Sequence, residues 1–352
     1  MDYRTRNHEV KRKQDLLDSA GEIAEPGWAR SQVWQYDRSQ IKAKSLRIKE
    51  WDYYLVLGDG FGAAFTLSDD GYIGLQSLSL LILDSNKPWE HTETVLDFMP
   101  LGKMKMPATS SSGDIVYRNE KKGVRMEFWV RDLGGGHIRR RILANWKSFY
   151  EGKPLTCDIT LDQPPMDSLV IATPWDKKHC FYYNQKINCL TASGQIQFGG
   201  RTFEFDPARH FGTLDWGRGV WTYDNTWYWG SGNGMAGGKP FGFNIGYGFG
   251  NTSAASENVV FYDGVASKID DVEFQIPEDS YLDPWKITSS DHRFEMTFEP
   301  VLDRSALLDV KLISSDQHQV FGRMSGTAVL DDGSQLRIQD LMCFCEKVHN
   351  KY

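Results

Sequence analysis

From Ser45 onward this chain is a succession of short runs that alternate apolar and polar residues and stop at turns rich in glycine or aspartate. Residues 195–205 show the pattern most plainly. Ile196 and Phe198 alternate with polar residues, Gly199-Gly200 makes the turn, and Phe203 and Phe205 resume the alternation. Period-two alternation across a tight turn marks an antiparallel hairpin. Residues 328–338 repeat the device around Asp331-Asp332-Gly333-Ser334, and residues 125–131 turn through Gly134-Gly135-Gly136 into residues 137–146. No helical period runs long enough to carry a parallel crossover, which argues against a Rossmann-type sheet. The chain is therefore expected to be all-β, built from antiparallel barrels or sandwiches. One short helix is expected at residues 10–17, with Lys11, Arg12 and Lys13 on its solvated face.

Twelve Trp, fifteen Tyr and nineteen Phe accompany 33 Gly in 352 residues. Aromatic side chains suit half-buried pleated surfaces. Glycine permits close backbone approach. Together they point to β-structure with an aromatic-lined interior. A net charge of -7 disfavours a general nucleic-acid binder. The longest apolar stretch, residues 78–83, is too short to span a bilayer, so no integral membrane association is expected. The start carries no apolar core of a signal peptide. Cys157, Cys180, Cys189, Cys343 and Cys345 are odd in number and sparse, which fits reduced thiols in the cytoplasm. Cys343 and Cys345 read as small core residues, because no Cys-x-x-Cys or histidine partner adjoins them. The eight histidines are scattered, so no metal is expected, and no nucleotide-binding motif calls for a cofactor. Nothing in the sequence specifies an oligomeric state.

Charge is uneven. Residues 101–150 carry eleven Lys/Arg against four Asp/Glu, and residues 251–352 carry nine against eighteen. In Arg139-Arg140-Arg141, strand geometry puts Arg139 and Arg141 on one face and Arg140 on the other. An anion site and exposed strand-face arginines are the competing readings.

Three segments look chemical. In residues 49–54, Glu50, Asp52 and Tyr54 share one strand face, and Trp51 and Tyr53 share the other. Two carboxylates on one face raise one another's pKa unless cations lie nearby, which suits acid/base work; structural pairing with Lys or Arg is the alternative. In residues 206–229, Asp215-Trp216-Gly217-Arg218-Gly219 sets an acid and a base around an indole, and Trp221, Tyr223, Trp227 and Trp229 alternate beyond it. That face suits a ligand wall or a bulky core. In residues 241–250, Phe241, Phe243, Ile245, Tyr247 and Phe249 line one face. Gly242, Asn244, Gly246, Gly248 and Gly250 line the other. A face of glycines fills no space, so a backbone, large side chains or a ligand must approach it.

The motifs in residues 49–54, with Gly27-Trp28-Ala29, Asp37-Arg38 and residues 214–221, resemble the signature of domain of unknown function 2804, from about residue 15 to the C-terminus. That family carries no established activity to transfer. More remotely, Asn251, Glu257-Asn258 and Asp263-Gly264 resemble the second half of two-barrel lipocalin-like proteins such as carotenoid hydratases and fungal Diels–Alderases. That resemblance implies two packed calycin-type barrels and an aromatic cavity holding an apolar ligand. It implies an N-terminal extension over residues 1–30, a first barrel over 31–190 and a second over 191–352.

The expected function is enclosure of a small hydrophobic molecule, with cofactor-free hydration, isomerisation or cyclisation by acid/base chemistry. Asp215 is the expected acid/base and Arg218 its partner, folded onto it in a turn. His210, Glu257 and Asp52 are further catalytic candidates. Trp51, Tyr53, Trp216, Trp221, Trp227, Trp229 and Asn244 are the expected ligand contacts. A non-catalytic carrier and a carbohydrate-active protein remain open alternatives.

Overall fold

A computed structural model describes residues 6–310 and 313–351; residues 1–5, part of the stretch examined for a signal peptide, lie outside the described residues. The described chain is all-β, with two antiparallel sheets each curled into a half-barrel. Helix is confined to the 3-10 turns Arg38–Gln40 and Ser45–Arg47. No helix among the described residues is long and apolar enough to cross a membrane.

The first sheet runs, in spatial order, Trp89–Phe98, Ile73–Ile82, Phe61–Asp69, Ile48–Gly58, Phe211–Val220, Phe181–Phe198, Lys153–Gln163, His137–Tyr150, Val124–Gly134 and Ile115–Asn119. The second runs Val265–Lys268, Val259–Tyr262, Lys239–Tyr247, Asp224–Ala236, Gln335–Lys351, Ile313–Val329, Phe294–Val310, Trp285–Ser289 and Val272–Gln275. The turn at Gly199-Gly200 falls between Phe198 and Arg201, both glycines at positive φ, and the turn at residues 330–334 joins Ile313–Val329 to Gln335–Lys351.

The change of sheet lies between Val220 and Asp224, not at residue 190. Phe181–Phe198 is a single strand of 18 residues whose register with Lys153–Gln163 and Phe211–Val220 ties residues 191–220 to the first sheet. The N-terminal segment is likewise part of that sheet's structure. Gly27–Ala29 pairs with Leu169–Pro174, and Val10, Leu16, Leu17, Trp34 and Tyr36 are buried in the first core. Residues 10–17 form no helix. Their amides bond across the chain, Val10 N to Trp28 O, Gln14 N to Val33 O and Leu16 N to Gln35 O, which holds the backbone extended.

Three apolar cores result. One fills the first half-barrel, one fills the second, and one lies between the sheets with residues from both, among them Trp28, Leu55, Leu81, Tyr182, Trp229, Phe261, Phe321 and Phe344. The middle of the first sheet is thus covered on both faces. Phe211–Val220 is buried along its whole length. A strand covered on both sides loses the simple apolar/polar alternation, and its charges must find partners.

Candidate site between the two sheets

Cross-strand register decides which side chains meet, because residues directly opposite each other share a face. Asp215 stands opposite Tyr53 on one side and Lys186 on the other. Gly217 stands opposite Trp51 and Asn184, and Gly219 opposite Tyr182. Trp51, Tyr53, Tyr182, Asn184, Lys186 and Asp215 therefore form one patch on the outer face of the first sheet. The second sheet presents Trp227, Trp229, Asn244, Gln319 and Glu346 to it.

Lys186 is 1% exposed, and its Nζ lies 2.9 Å from Asp215 Oδ1 and 3.9 Å from the centre of the Trp229 ring. Asn184 Nδ2 donates to the same Asp215 oxygen at 2.6 Å. Trp229 Nε1 donates to Asn244 Oδ1 at 2.7 Å, and Asn244 Nδ2 donates to the main-chain oxygen of Glu257 at 2.9 Å. Asn244 thus fixes both an indole and the segment bearing an acid.

Glu257 is 1% exposed, with its carboxyl next to the hydroxyl of Tyr182. That hydroxyl is itself buried. Burial pushes the Glu257 pKa up, against the pull of Lys186. Burial likewise pushes up Tyr182, with the Glu257 charge adding to it. Glu346 is a second buried acid raised by burial; it accepts from Trp227 Nε1 at 2.9 Å and from Gln319 Nε2 at 2.8 Å.

The walls are aromatic. Trp221 meets Trp51 edge-on at 5.6 Å, Trp227 at 5.3 Å and Tyr182 at 5.8 Å, and Tyr182 stacks on Phe249 at 5.1 Å. Such pairs contribute roughly 0.5–1.5 kcal/mol each beyond area burial. The glycines make room for this layer. The Trp51 ring lies across Gly217, where any Cβ would collide with it. A Cβ at Gly246 would lie 3.3 Å from Phe249 and 3.5 Å from Glu257 Oε2. At Gly242 it would lie 2.8 Å from Cys189 Sγ of the first sheet. What approaches the glycine face of residues 241–250 is therefore the first sheet at Gly242 and Gly250, and the backbone of residues 226–228 at Gly246 and Gly248, with Phe249 and the Glu257 carboxyl also close to Gly246.

The family described as Domain of unknown function (DUF2804) matches residues 7–352. The chain belongs to the DUF2804 family. Among solved structures, this DUF2804 protein is similar to a provisionally named AttH protein of Nitrosomonas europaea, at 12% identity and a TM-score of 0.50, over 89% of this chain and 96% of that one. It is also similar to kievitone hydratase of Nectria haematococca, at 11% identity and a TM-score of 0.44, over 97% and 98% of the two chains. No curated protein matches it. The fold of the DUF2804 chain is of the two-barrel lipocalin-like type.

Several expected site residues lie elsewhere. Asp215 and Arg218 do not pair: the segment is a continuous strand rather than a turn, so residues three apart point to opposite faces. Arg218 faces the interior of the first half-barrel. It bonds Asp52 Oδ1 at 3.0 Å and the main-chain oxygens of Trp51, Pro107 and Gly217 at 2.8 Å each. Trp216 is buried on that same inner face, edge-on to Tyr183 at 5.4 Å, so it does not join Trp227 and Trp229. Glu50 also faces inward, bound by the Tyr36 hydroxyl at 2.8 Å and by Arg38. His210 sits at the far end of the strand between Phe61 and Phe205, with Nε2 3.3 Å from Asp59 Oδ1. Five residues of strand, about 16 Å, separate it from Asp215. Tyr223 falls in the crossover between sheets and is 50% exposed.

The structure thus gathers Asp215, Glu257, Asn244, Trp51, Tyr53, Trp221, Trp227 and Trp229, and adds Tyr182, Asn184, Lys186, Gln319 and Glu346. Two sequence signals mark the additions: the polar run Asn184-Gln185-Lys186 inside a strand that is otherwise aromatic and aliphatic over residues 181–187, and the acid Glu346 at the end of the apolar run of residues 341–345.

Proposed function

We propose that this DUF2804 protein encloses a small, largely apolar molecule between its two sheets and performs cofactor-free acid/base chemistry on it, such as hydration or isomerisation of a double bond. One observation carries the reading: the Glu257 carboxyl is fully buried, raised in pKa, and set beside the Tyr182 hydroxyl and the Lys186–Asp215 pair. A carboxyl whose pKa is raised by burial suits a general acid, and a nearby carboxylate held by a cation suits a base.

In a hydration, Glu257 delivers its proton to one alkene carbon, water bonds to the other, and Asp215 takes the proton that the water releases. Transfer of that proton back to Glu257 completes the cycle. The indoles of Trp227 and Trp229 stabilise positive charge developing on carbon. Burial of Trp221 and Trp229 favours an enclosed apolar ligand over a sugar in an open cleft. The five free, buried cysteines support action in a reducing compartment such as the cytoplasm.

The test begins with native mass spectrometry of freshly purified protein, to find a retained molecule. That molecule is then incubated with the protein in D2O. Acid/base chemistry at carbon incorporates deuterium, and Glu257→Gln abolishes it. A retained ligand with no exchange in the wild type would mark a carrier. Binding of the same ligand unchanged by Trp227→Ala and Trp229→Ala would refute the wall.

A further inference from the structure

One corner of the first sheet is dressed unlike the rest of the surface. Thirteen large apolar side chains are exposed among the described residues, and six of them, Leu46, Leu75, Leu96, Phe98, Met99 and Leu101, fall together there. Leu75 stands directly opposite Leu96, and Ile73 opposite Phe98, so these four share one face of the edge hairpin of Ile73–Ile82 and Trp89–Phe98. Phe98 is 78% exposed. The chain then turns back over the same corner. The Met99 amide bonds the main-chain oxygen of Tyr72 at 2.9 Å, and the Leu101 amide bonds that of Gly71 at 3.1 Å. Leu46 completes the patch, because its main chain lies against Gly71.

The display is built into the backbone. Met99 and Leu101 both hold positive φ, which residues other than glycine rarely adopt. Buried Asp69 holds the loop in place, accepting from the amides of Gly71 at 3.2 Å and Gly102 at 2.8 Å. A monomer seldom gathers exposed apolar side chains in this way without a partner for them.

Charge says which partner. Lys44, Lys103 and Lys105 are exposed on the two loops that carry Leu46, Met99 and Leu101, and they form no ion pair among the described residues. Acids of the same strands are turned elsewhere. Asp97 lies on the opposite strand face, where the Tyr117 hydroxyl donates to it at 3.3 Å. Asp70 accepts from Ser68 Oγ at 2.8 Å and lies in the field of Lys49. A two-fold contact between copies of the chain would set the three lysines against their own counterparts. Apolar side chains flanked by lysines match instead the boundary between acyl chains and anionic headgroups.

We infer that this corner docks the protein on an anionic membrane surface, with Phe98, Met99 and Leu101 entering the headgroup boundary and Lys44, Lys103 and Lys105 meeting the headgroup charges. The corner lies on the face that bears Trp51, a wall of the site between the sheets: Trp51 stands opposite Ser68, whose Oγ accepts from the Leu75 amide at 3.1 Å. Docking goes beyond the acid/base reading and does not rest on it.

The experiment is co-sedimentation of the full chain with vesicles of phosphatidylcholine alone, and of phosphatidylcholine and phosphatidylserine in equal parts. Sedimentation with the mixed vesicles is expected, falling as salt is raised, with little on the neutral ones. Phe98→Ser with Met99→Ser abolishes it. Lys103→Gln with Lys105→Gln weakens it roughly 30-fold, as two lysines near an anionic surface are worth. These side chains are exposed, and either pair carries the test if the other fails to fold. No sedimentation, equal sedimentation with both vesicle types, or wild-type binding by the variants overturns the docking site. Analytical ultracentrifugation without lipid covers the rival: a dimer that Phe98→Ser disperses assigns the corner to a second copy and overturns the membrane.

Discussion

Asp215 and Arg218, three positions apart in strand Phe211–Val220, serve opposite faces of the first sheet: Asp215 pairs with Lys186 at 2.9 Å outside the half-barrel, and Arg218 with Asp52 at 3.0 Å inside it. The two ion pairs therefore share no partner. In chemical denaturation, Asp215→Asn and Arg218→Met should be additive within about 0.5 kcal/mol. Arg218→Met alone should cost about 3–5 kcal/mol, because it strands the buried Asp52. Asp52→Asn should recover part of that cost. A coupling above about 1 kcal/mol between positions 215 and 218 would contradict the geometry.

Burial raises the Glu257 pKa, and Glu257→Gln keeps the shape of the side chain while removing its ability to give up a proton. The variant should melt within a few degrees of wild type, yet lose turnover of the retained substrate by about 100-fold or more. Full turnover in a stable variant removes Glu257 from the chemistry and leaves Glu346 as the buried acid to examine.

Gly217 carries no side chain because the Trp51 ring occupies that space. Gly217→Ala should displace the indole and destabilise the protein by about 1–3 kcal/mol. Because Trp51 adjoins Tyr182 and Trp221, ligand-dependent tryptophan fluorescence should weaken with it. An unchanged melting temperature and titration would mean that the ring is free to move aside.

Lys268, partly buried over the Trp28 ring and donating to the main-chain oxygen of Ser256 at 2.6 Å, has its pKa pushed down to about 7 by burial. The unfolded lysine titrates near 10.4. Between these values the unfolded chain binds the extra proton, so this residue's contribution to stability rises as pH goes from about 7 to about 10. Calorimetric melts of Lys268→Met should show a gain over wild type at pH 7 that shrinks toward pH 10. A constant difference across that range would show that the lysine stays charged in the fold.

All five cysteines are free and buried. A thiol reagent should react with almost none of them in the native protein and with five after denaturation. Ready modification of the native state would place at least one at an accessible surface.

Local features carried much of the architecture. The alternation and turn chemistry at residues 195–205 and 328–338 specify hairpins, since strand side chains alternate with period two and glycine supplies positive φ. The same period put Glu50, Asp52 and Tyr54 on one face, and exposed the glycine face around Asn244 as a place that something must fill. Within a strand these are consequences of backbone geometry alone, so the sequence by itself determined them.

Partnership across strands was not legible in that way. Asp215 meets Lys186 and Arg218 meets Asp52 only through register between segments tens to more than a hundred residues apart, and Glu257 comes to Tyr182 only through the packing of the loop before Val259–Tyr262. Only the packing of one curled sheet against another decides which face of Phe211–Val220 becomes an interior and which becomes an interface. The sequence near Asp215 reads equally well as a turn or a strand, because Gly217 and Gly219 permit both. Tertiary structure chose the strand: Trp51 lies over Gly217, and the backbone of Phe181 crowds Gly219, leaving space there for no side chain.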